Sequence, residues 1–144
     1  MVALTLWAFR QMMNNAGKLD LEMLQNLTVG NDVVFLPDFK SSFNTLFKNK
    51  VYTKNEIDYC EQFDEAILRY ASTWAAKEAV YKAIKQLDDT PLPFNTIEIL
   101  RNKIAGKPTV NLLKNTNQPV ISLSISHDGD YVWAVAILNP SPSK

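Results

Sequence analysis

The sequence predicts an α+β fold, in which a long helix packs against a small group of antiparallel strands. An apolar-periodic run from Phe63 to Leu87 contains no glycine or proline, and this pattern predicts a long helix. From Ile121 to Ser126 apolar residues alternate strictly with serines, as they do in a half-buried strand. The step Asp128-Gly129 that follows is a strong signal for a β-hairpin.

Length and composition indicate one domain with no bulk-charge preference for a partner. The chain has 144 residues, enough for one hydrophobic core but too few for two comfortable ones. Its 15 basic residues are matched by 15 acidic ones, which argues against a nucleic-acid binder. A hydrophobic content of 47% argues against a disordered chain.

The chemistry open to the chain is narrowed by its residue types. Cys60 is the single cysteine and His127 the single histidine, so neither an internal disulfide nor a cysteine–histidine zinc site can form. Any metal ion is therefore expected to be held by oxygen atoms. The apolar stretch from Met1 to Phe9 lacks the features of a signal peptide, and no segment approaches the length of a membrane span. We expect a cytoplasmic protein without a membrane partner.

The N-terminal half predicts helices on either side of one strand. Helix-like spacing extends from Leu4 to Leu27, with an interruption around Asn14–Gly17. A β-branched run from Val29 to Leu36 predicts a strand that ends at Pro37.

Two further short helices are predicted before the long one. Asp38 is placed to cap the first of them. Its apolar face comprises Phe39, Phe43, Leu46 and Phe47, and Lys40, Lys48 and Lys50 lie largely away from it, as in a solvated face. Thr53 and Glu56 have the spacing of a capping box, which predicts the start of the second.

The C-terminal half predicts strands. The segment Asp88–Pro93 ends the long helix, and Thr96–Leu100 and Thr109–Leu113 are predicted strands on either side of a loop. The last strand, Tyr131–Leu138, is apolar on both faces and must therefore be covered twice. The long helix covers one face, and either another subunit or the segment Leu4–Leu27 covers the other.

Charged residues continue the apolar stripe of the long helix. One and two turns beyond Trp74 the same stripe reaches Glu78 and Lys82. These two residues are either part of a polar site or an ordinary i,i+4 surface pair, worth about 0.3–0.5 kcal/mol.

Asp32 is also unusual, because aspartate is depleted in strands. It lies at a strand end or bulge, a cation holds it, or its carboxylate merely bonds a nearby turn.

Three polar signals stand on separate elements, namely Asp32, the pair Glu78 and Lys82, and the segment Ser126–Asp128. Two carboxylates without a soft ligand favour a hard cation such as Mg²⁺, which completes its octahedron with water and substrate phosphates. The chain has no glycine-rich phosphate loop, so a P-loop enzyme or a kinase is disfavoured.

Four segments together resemble the phosphopantetheinyl transferases, and most closely their single-domain holo-acyl-carrier-protein synthase branch. They are Val-Gly-Asn-Asp-Val-Val at 29–34, Trp-Ala-Ala-Lys-Glu-Ala-Val-Tyr-Lys-Ala at 74–83, Gly-Lys-Pro at 106–108 and Ser-Ile-Ser-His-Asp-Gly-Asp-Tyr at 124–131. The resemblance spans roughly residues 29–138, and the segment from the long helix is its most specific part. It implies a domain at 29–139, an N-terminal helical extension of unknown role at 1–28 and a tail at 140–144.

The resemblance implies transfer of phosphopantetheine from coenzyme A to a serine of an acyl or peptidyl carrier protein, with release of adenosine bisphosphate. It implies Mg²⁺ held by Asp32 and Glu78, catalysis by Glu78 and Lys82, and coenzyme A contacts from Lys77, Lys82 and His127. Water is expected at Val34, where two-domain relatives carry another acid. A trimer with sites between subunits is also implied.

The chain departs from the family pattern mainly where the carrier would dock. Phe35 and Asp38 stand where relatives often have Glu and Arg, and Thr73 stands where many have Arg. Lys40 and Lys48 are therefore the expected carrier-docking residues. Two other function classes remain open, a non-catalytic binding or scaffold protein and a metal-independent acyl-coenzyme A thioesterase.

Overall fold

The computed structural model describes residues 11, 27–101, 106–115 and 118–140. The predicted helices of Leu4–Leu27 and the predicted tail fall almost entirely outside these residues. None of the described helices is long and apolar enough to cross a lipid bilayer.

The described residues form an α+β fold of short helices, one long helix and two antiparallel sheets. In chain order the elements are β1 (Thr28–Phe35), α1 (Leu36–Ser42), α2 (Thr45–Val51), α3 (Lys54–Cys60), α4 (Ala66–Ile84), a 3₁₀ turn (Phe94–Thr96), β2 (Ile97–Leu100), β3 (Thr109–Leu112), β4 (Val120–Asp128) and β5 (Tyr131–Asn139).

The larger sheet has the strand order β1-β5-β4, and both pairings are antiparallel. Asp128 and Tyr131 close the β4–β5 hairpin at the predicted place, where Gly129 supplies the positive φ of 53°. Strands β2 and β3 form a separate two-stranded sheet. Helix α4 packs on the larger sheet, and this packing forms the core.

Small residues allow α4 to lie very close to the sheet. Ala79 and Ala83 are fully buried on the helix, and Gly30 faces them from β1. A Cβ atom on Gly30 would come within 1.9 Å of the Ala79 carbonyl oxygen and 2.6 Å of the Ala83 amide nitrogen. The Thr28 hydroxyl also donates to the Ala83 carbonyl at 2.7 Å. The contact therefore requires glycine at position 30.

The region after β1 differs from the prediction. The expected single helix is divided into α1 and α2, because Asn44 caps a new helix by accepting a hydrogen bond from the Phe47 amide at 2.9 Å. Asp38 is not a cap, since α1 begins directly after β1 and places Asp38 in its first turn. Leu46, predicted on the apolar face, is 78% exposed. The predicted capping box of Thr53 and Glu56 is present at α3.

The two faces of β5 have different surroundings. Its even-numbered residues from Val132 to Leu138 are buried under α4. On the opposite side of the sheet, which we call the outer face, several large apolar side chains are exposed. They are Val29, Val33, Phe35, Tyr131, Trp133 and Ile137.

Candidate active site

A cleft of about 490 Å³ lies where β1, α1 and α4 meet. Its walls include three carboxylates, from Asp32, Asp38 and Glu78, and the Trp74 ring. The other lining residues are Val33, Val34, Phe35, Phe39 and Ser42. Acidic groups therefore share this space with apolar surface.

Asp32 reaches the cleft because it lies two residues from both Gly30 and Val34 in β1 and therefore shares their face, which is turned towards α4. Its side chain is 17% exposed and pairs with Lys82, whose Nζ lies 2.8 Å from Oδ1. Lys82 also donates to the Asn31 carbonyl at 3.1 Å. The pair spans the seam between the strand and the helix.

Glu78 lies one turn before Lys82 and is half-buried. Burial raises the pKa of its carboxyl group, and repulsion from Asp32 raises that pKa further, against the opposing effect of Lys82. Two carboxylates that repel each other in one cleft form a donor set that suits a hard divalent cation.

The donor set is incomplete on its own. Within the described residues, no group of three or more His, Cys, Asp or Glu side chains is arranged to hold a metal ion. A cation bound to Asp32 and Glu78 would need further oxygen ligands from water or a substrate. That requirement matches the way Mg²⁺ is held beside phosphates.

His127 is separated from the cleft. It pairs with Val132, which pairs with Val34, so His127 stands two strands away from β1 on the helix-facing side. Strand spacings place its Cα roughly 12 Å from that of Asp32. The side chain is exposed at the end of β4. A ligand that contacts both His127 and Asp32 must therefore be extended.

Lys77 does not belong to the site. Its side chain has no exposed surface and pairs at 2.8 Å with the equally buried Glu56. Its Nζ also donates to the Phe94 carbonyl at 2.9 Å and to the Ile97 carbonyl. Burial lowers the pKa of Lys77 and raises that of Glu56, while each partner opposes the effect on the other. The prediction that Lys77 binds coenzyme A is not retained, because its donors are committed to the core.

The two predicted docking lysines differ in availability. Lys40 is exposed on α1. Lys48 is only 28% exposed, pairs with Glu61 at 3.3 Å and lies over the Tyr70 ring. Lys40 therefore presents the freer positive charge.

Two cleft residues were missed as site residues in the sequence. The sequence marks Asp38 as a helix cap and as a departure from the family pattern, and Trp74 as part of the apolar stripe and the family motif, whereas the structure places both at the cleft. The sequence did contain a signal for Trp74. It lies four residues before Glu78 on the same side of the helix, which places its ring one helical turn from the carboxylate.

Comparisons with known proteins agree on one family. Residues 28–136 match the model of the 4′-phosphopantetheinyl transferase superfamily. The holo-[acyl-carrier-protein] synthase of Chlorobaculum parvum is 33% identical over 117 residues, which are 79% of this chain and 99% of that protein.

Solved structures give the same result. The Chronobacterium ammoniagenes ACPS–CoA complex has a TM-score of 0.67 at 28% identity, covering 80% of this chain and 98% of the other. The Helicobacter pylori holo-[acyl-carrier-protein] synthase in complex with coenzyme A has a TM-score of 0.63 at 27% identity, covering 76% and 98%.

Proposed function

The chain belongs to the 4′-phosphopantetheinyl transferase superfamily, and from this premise we propose that it converts an apo carrier protein into its holo form. The reaction joins the carrier's serine oxygen to the phosphorus that bears pantetheine in coenzyme A. The pyrophosphate bond breaks, and adenosine bisphosphate leaves. The protein is thus a holo-acyl-carrier-protein synthase with coenzyme A as co-substrate, in line with the names of its relatives.

The observation that carries the proposal is the shared cleft of Asp32 and Glu78, with Lys82 beside Asp32. Asp32 comes from β1, and Glu78 and Lys82 come from α4. The hydrogen bond from Lys82 to Asp32 joins residues that are 50 positions apart in the sequence. A surface pair between Glu78 and Lys82 alone would not explain why Asp32 lies with them.

We assign the roles as follows. Asp32 and Glu78 hold Mg²⁺, which when bound supplies positive charge to the pyrophosphate and the departing group. Glu78, or a water that it holds, accepts the serine proton. Lys82 contributes positive charge to phosphate oxygens, and His127 contacts coenzyme A outside the cleft.

The two other function classes lack support from a specific observation. A scaffold protein would have no need for the Asp32 and Glu78 carboxylates in one cleft with an ammonium group beside them. A thioesterase would hydrolyse acyl-coenzyme A in the presence of a chelator, so this assay separates it from a transferase.

The remaining parts of the proposal concern assembly and chain organisation. We propose that the protein is a trimer with sites between subunits, and that the outer face of the sheet is the contact surface. Residues 29–139 form the transferase domain, and residues 1–28 are an extension of unknown role.

The decisive experiment measures transfer of phosphopantetheine to a carrier protein by mass spectrometry, with and without Mg²⁺. Asp32→Asn and Glu78→Gln keep side-chain size but remove charge, and each is expected to lower the rate at least about 100-fold. Asp130→Asn is the matched control, because it makes the same carboxylate-to-carboxamide change at an exposed residue of the β4–β5 hairpin. It should retain the wild-type rate. Full activity of either cleft variant, or transfer that survives complete chelation, would refute the site.

A further inference from the structure

Lys82 occupies an unexpected place for a residue that is assigned to phosphate. Its Nζ lies 2.8 Å from Asp32 Oδ1 and 3.1 Å from the Asn31 carbonyl oxygen, so two donors are directed at β1. The ammonium group thus neutralises the carboxylate that the proposed cation requires.

We propose that the Lys82 ammonium group pairs with Asp32 only while the metal site is empty. A divalent cation then displaces it from the carboxylate, and Lys82 becomes available to the phosphates of coenzyme A. This inference rests on the proposed function and deepens it. It makes the metal and coenzyme A bind cooperatively, because the first ligand releases a group that the second ligand uses.

Charge in the cleft supports an exchange rather than joint occupancy. Asp32 and Glu78 carry two negative charges and Lys82 one positive charge, so the free site keeps a net negative charge. A divalent cation on the same Asp32 carboxylate would repel the ammonium at short range. Glu78 makes no ion pair within the described residues, so the free site keeps a carboxylate that can accept a cation.

The side chain is also able to move. Lys82 is 48% exposed, and a lysine carries a compact charge on a flexible stem. An exposed ion pair of this kind contributes little to stability, so breaking it does not endanger the fold. Its aliphatic carbons start on α4 one turn after Glu78, so the head group can turn from β1 towards the open side of the cleft.

The test is binding of coenzyme A by calorimetry, without a carrier protein, in a chelating buffer and in saturating MgCl₂. Lys82→Met removes the charge and keeps an apolar stem of similar length. We expect it to bind coenzyme A as the wild type does, within about twofold, under chelation. In MgCl₂ we expect it to bind about tenfold more weakly, because the freed contact is charge-assisted. An equal loss in both buffers would overturn the proposal, since Lys82 would then already face the phosphates.

A second measurement uses MgCl₂ alone and does not depend on coenzyme A. Lys82→Met should bind Mg²⁺ about three- to tenfold more tightly than the wild type, because no ammonium competes for Asp32. Lys85→Met is the matched control at the C-terminal end of the same helix, where Lys85 donates to the Thr90 carbonyl and lies over the Tyr81 ring. Equal Mg²⁺ affinity of the wild type and Lys82→Met would refute the exchange.

Asp32→Asn provides the complementary variant, because it releases Lys82 without a metal. Under chelation it should bind coenzyme A more tightly than the wild type, and Lys82→Met in the same chain should abolish the gain. A gain that persists in the double variant would show that Lys82 is not the released group. If no variant binds coenzyme A in either buffer, the proposed function fails, and the measurement with MgCl₂ alone still decides the role of Lys82.

Discussion

At the scale of single residues, the buried ion pair between Lys77 and Glu56 has a large expected effect on stability. Neither side chain has exposed surface. Glu56 also accepts hydrogen bonds from the Ile99 and Thr53 amides, both at 2.8 Å, so it joins α3, α4 and β2. Removing one partner of such a pair leaves an uncompensated buried charge, which typically costs about 3–5 kcal/mol.

We therefore predict that Lys77→Met lowers the free energy of unfolding by about 3–5 kcal/mol in urea titrations. Glu56→Gln in the same chain should restore part of the loss, since the remaining group is then neutral, although its single amide oxygen can accept from only one of the Thr53 and Ile99 amides. If the double variant is less stable than Lys77→Met, the loss does not come from the unpaired carboxylate.

The pH dependence of Lys77→Met follows from the same group. Burial raises the pKa of Glu56, and Lys77 opposes this rise. Without Lys77 the folded-state pKa is higher still, whereas the unfolded state keeps its ordinary value. Between the two values the folded state binds more protons, so its stability falls as pH rises through that window. Urea titrations at a series of pH values should show that the variant regains stability relative to the wild type as pH falls towards the ordinary pKa of a glutamate.

Residue roles were predictable from the sequence only where a motif was local. The spacing of Thr53 and Glu56 revealed the capping box. It could not reveal that the same Glu56 reaches Lys77, 21 positions later by sequence number, because that contact depends on how α3 packs on α4. Lys77 was assigned to the site as a neighbour of Glu78 in the motif, although a rotation of about 100° separates their directions.

At the scale of elements, the contact between β1 and α4 sets the geometry of the cleft. Gly30 lies against Ala79 and Ala83, and Asp32 follows two residues later on the same face. Any group larger than hydrogen at position 30 must move the strand away from the helix. This movement also increases the distance between Asp32 and Glu78.

We predict that Gly30→Ala lowers stability by about 1–3 kcal/mol or more, and also weakens Mg²⁺ binding. Gly129→Ala is the matched control, because its Cβ would meet no atom within 4 Å and only the positive φ of 53° opposes it. It should cost about 1–2 kcal/mol and leave Mg²⁺ binding unchanged. Thermal unfolding and calorimetry with MgCl₂ measure both effects, and a normal Mg²⁺ affinity in Gly30→Ala would contradict the coupling.

Helices α1 and α2 were the elements least predictable from the sequence. Phe39, Phe43 and Phe47 recur at four-residue spacing, which fits one helix, and the three rings do pack together. The side chain of Asn44 nevertheless starts a second helix between them. Local capping and tertiary packing of the rings therefore outweighed helical periodicity.

The same division bears on carrier docking. Lys40 on α1 is exposed, whereas Lys48 on α2 shares its charge with Glu61. We predict that Lys40→Glu raises the Michaelis constant for the carrier several-fold, because the variant loses a charge that attracts the acidic carrier. The Michaelis constant for coenzyme A should be unchanged. Lys48→Glu should have a smaller effect, and Lys54→Glu on α3 is the control. Steady-state kinetics at two salt concentrations test this, and equal effects of all three variants would exclude a docking role for Lys40.

At the scale of the whole molecule, the outer face of the sheet is the feature that the described chain leaves unexplained. Val33 is 58% exposed, and Trp133, with which it pairs across β1 and β5, is 51% exposed. Phe35 and Tyr131 extend this surface, with ring centroids 5.1 Å apart. A contiguous apolar surface of this kind usually marks a protein interface. The sequence predicted that β5 needs two covers, but a single chain cannot reveal which molecule supplies the second.

We predict that the protein self-associates through this face, and that Trp133→Glu produces a monomer in sedimentation velocity at micromolar concentration. A charge placed there would be buried without a partner in the assembly, a cost that dissociation avoids. Leu46→Glu is the matched control, because Leu46 is 78% exposed on α2, away from the sheet. Trp133→Glu should keep Mg²⁺ binding, since Asp32 and Glu78 come from one chain, but lose transfer activity if the complete site lies between subunits, as we propose. A wild-type monomer would exclude this assembly and favour the segment Leu4–Leu27 as the cover, and a fully active Trp133→Glu monomer would show that each chain carries a complete site.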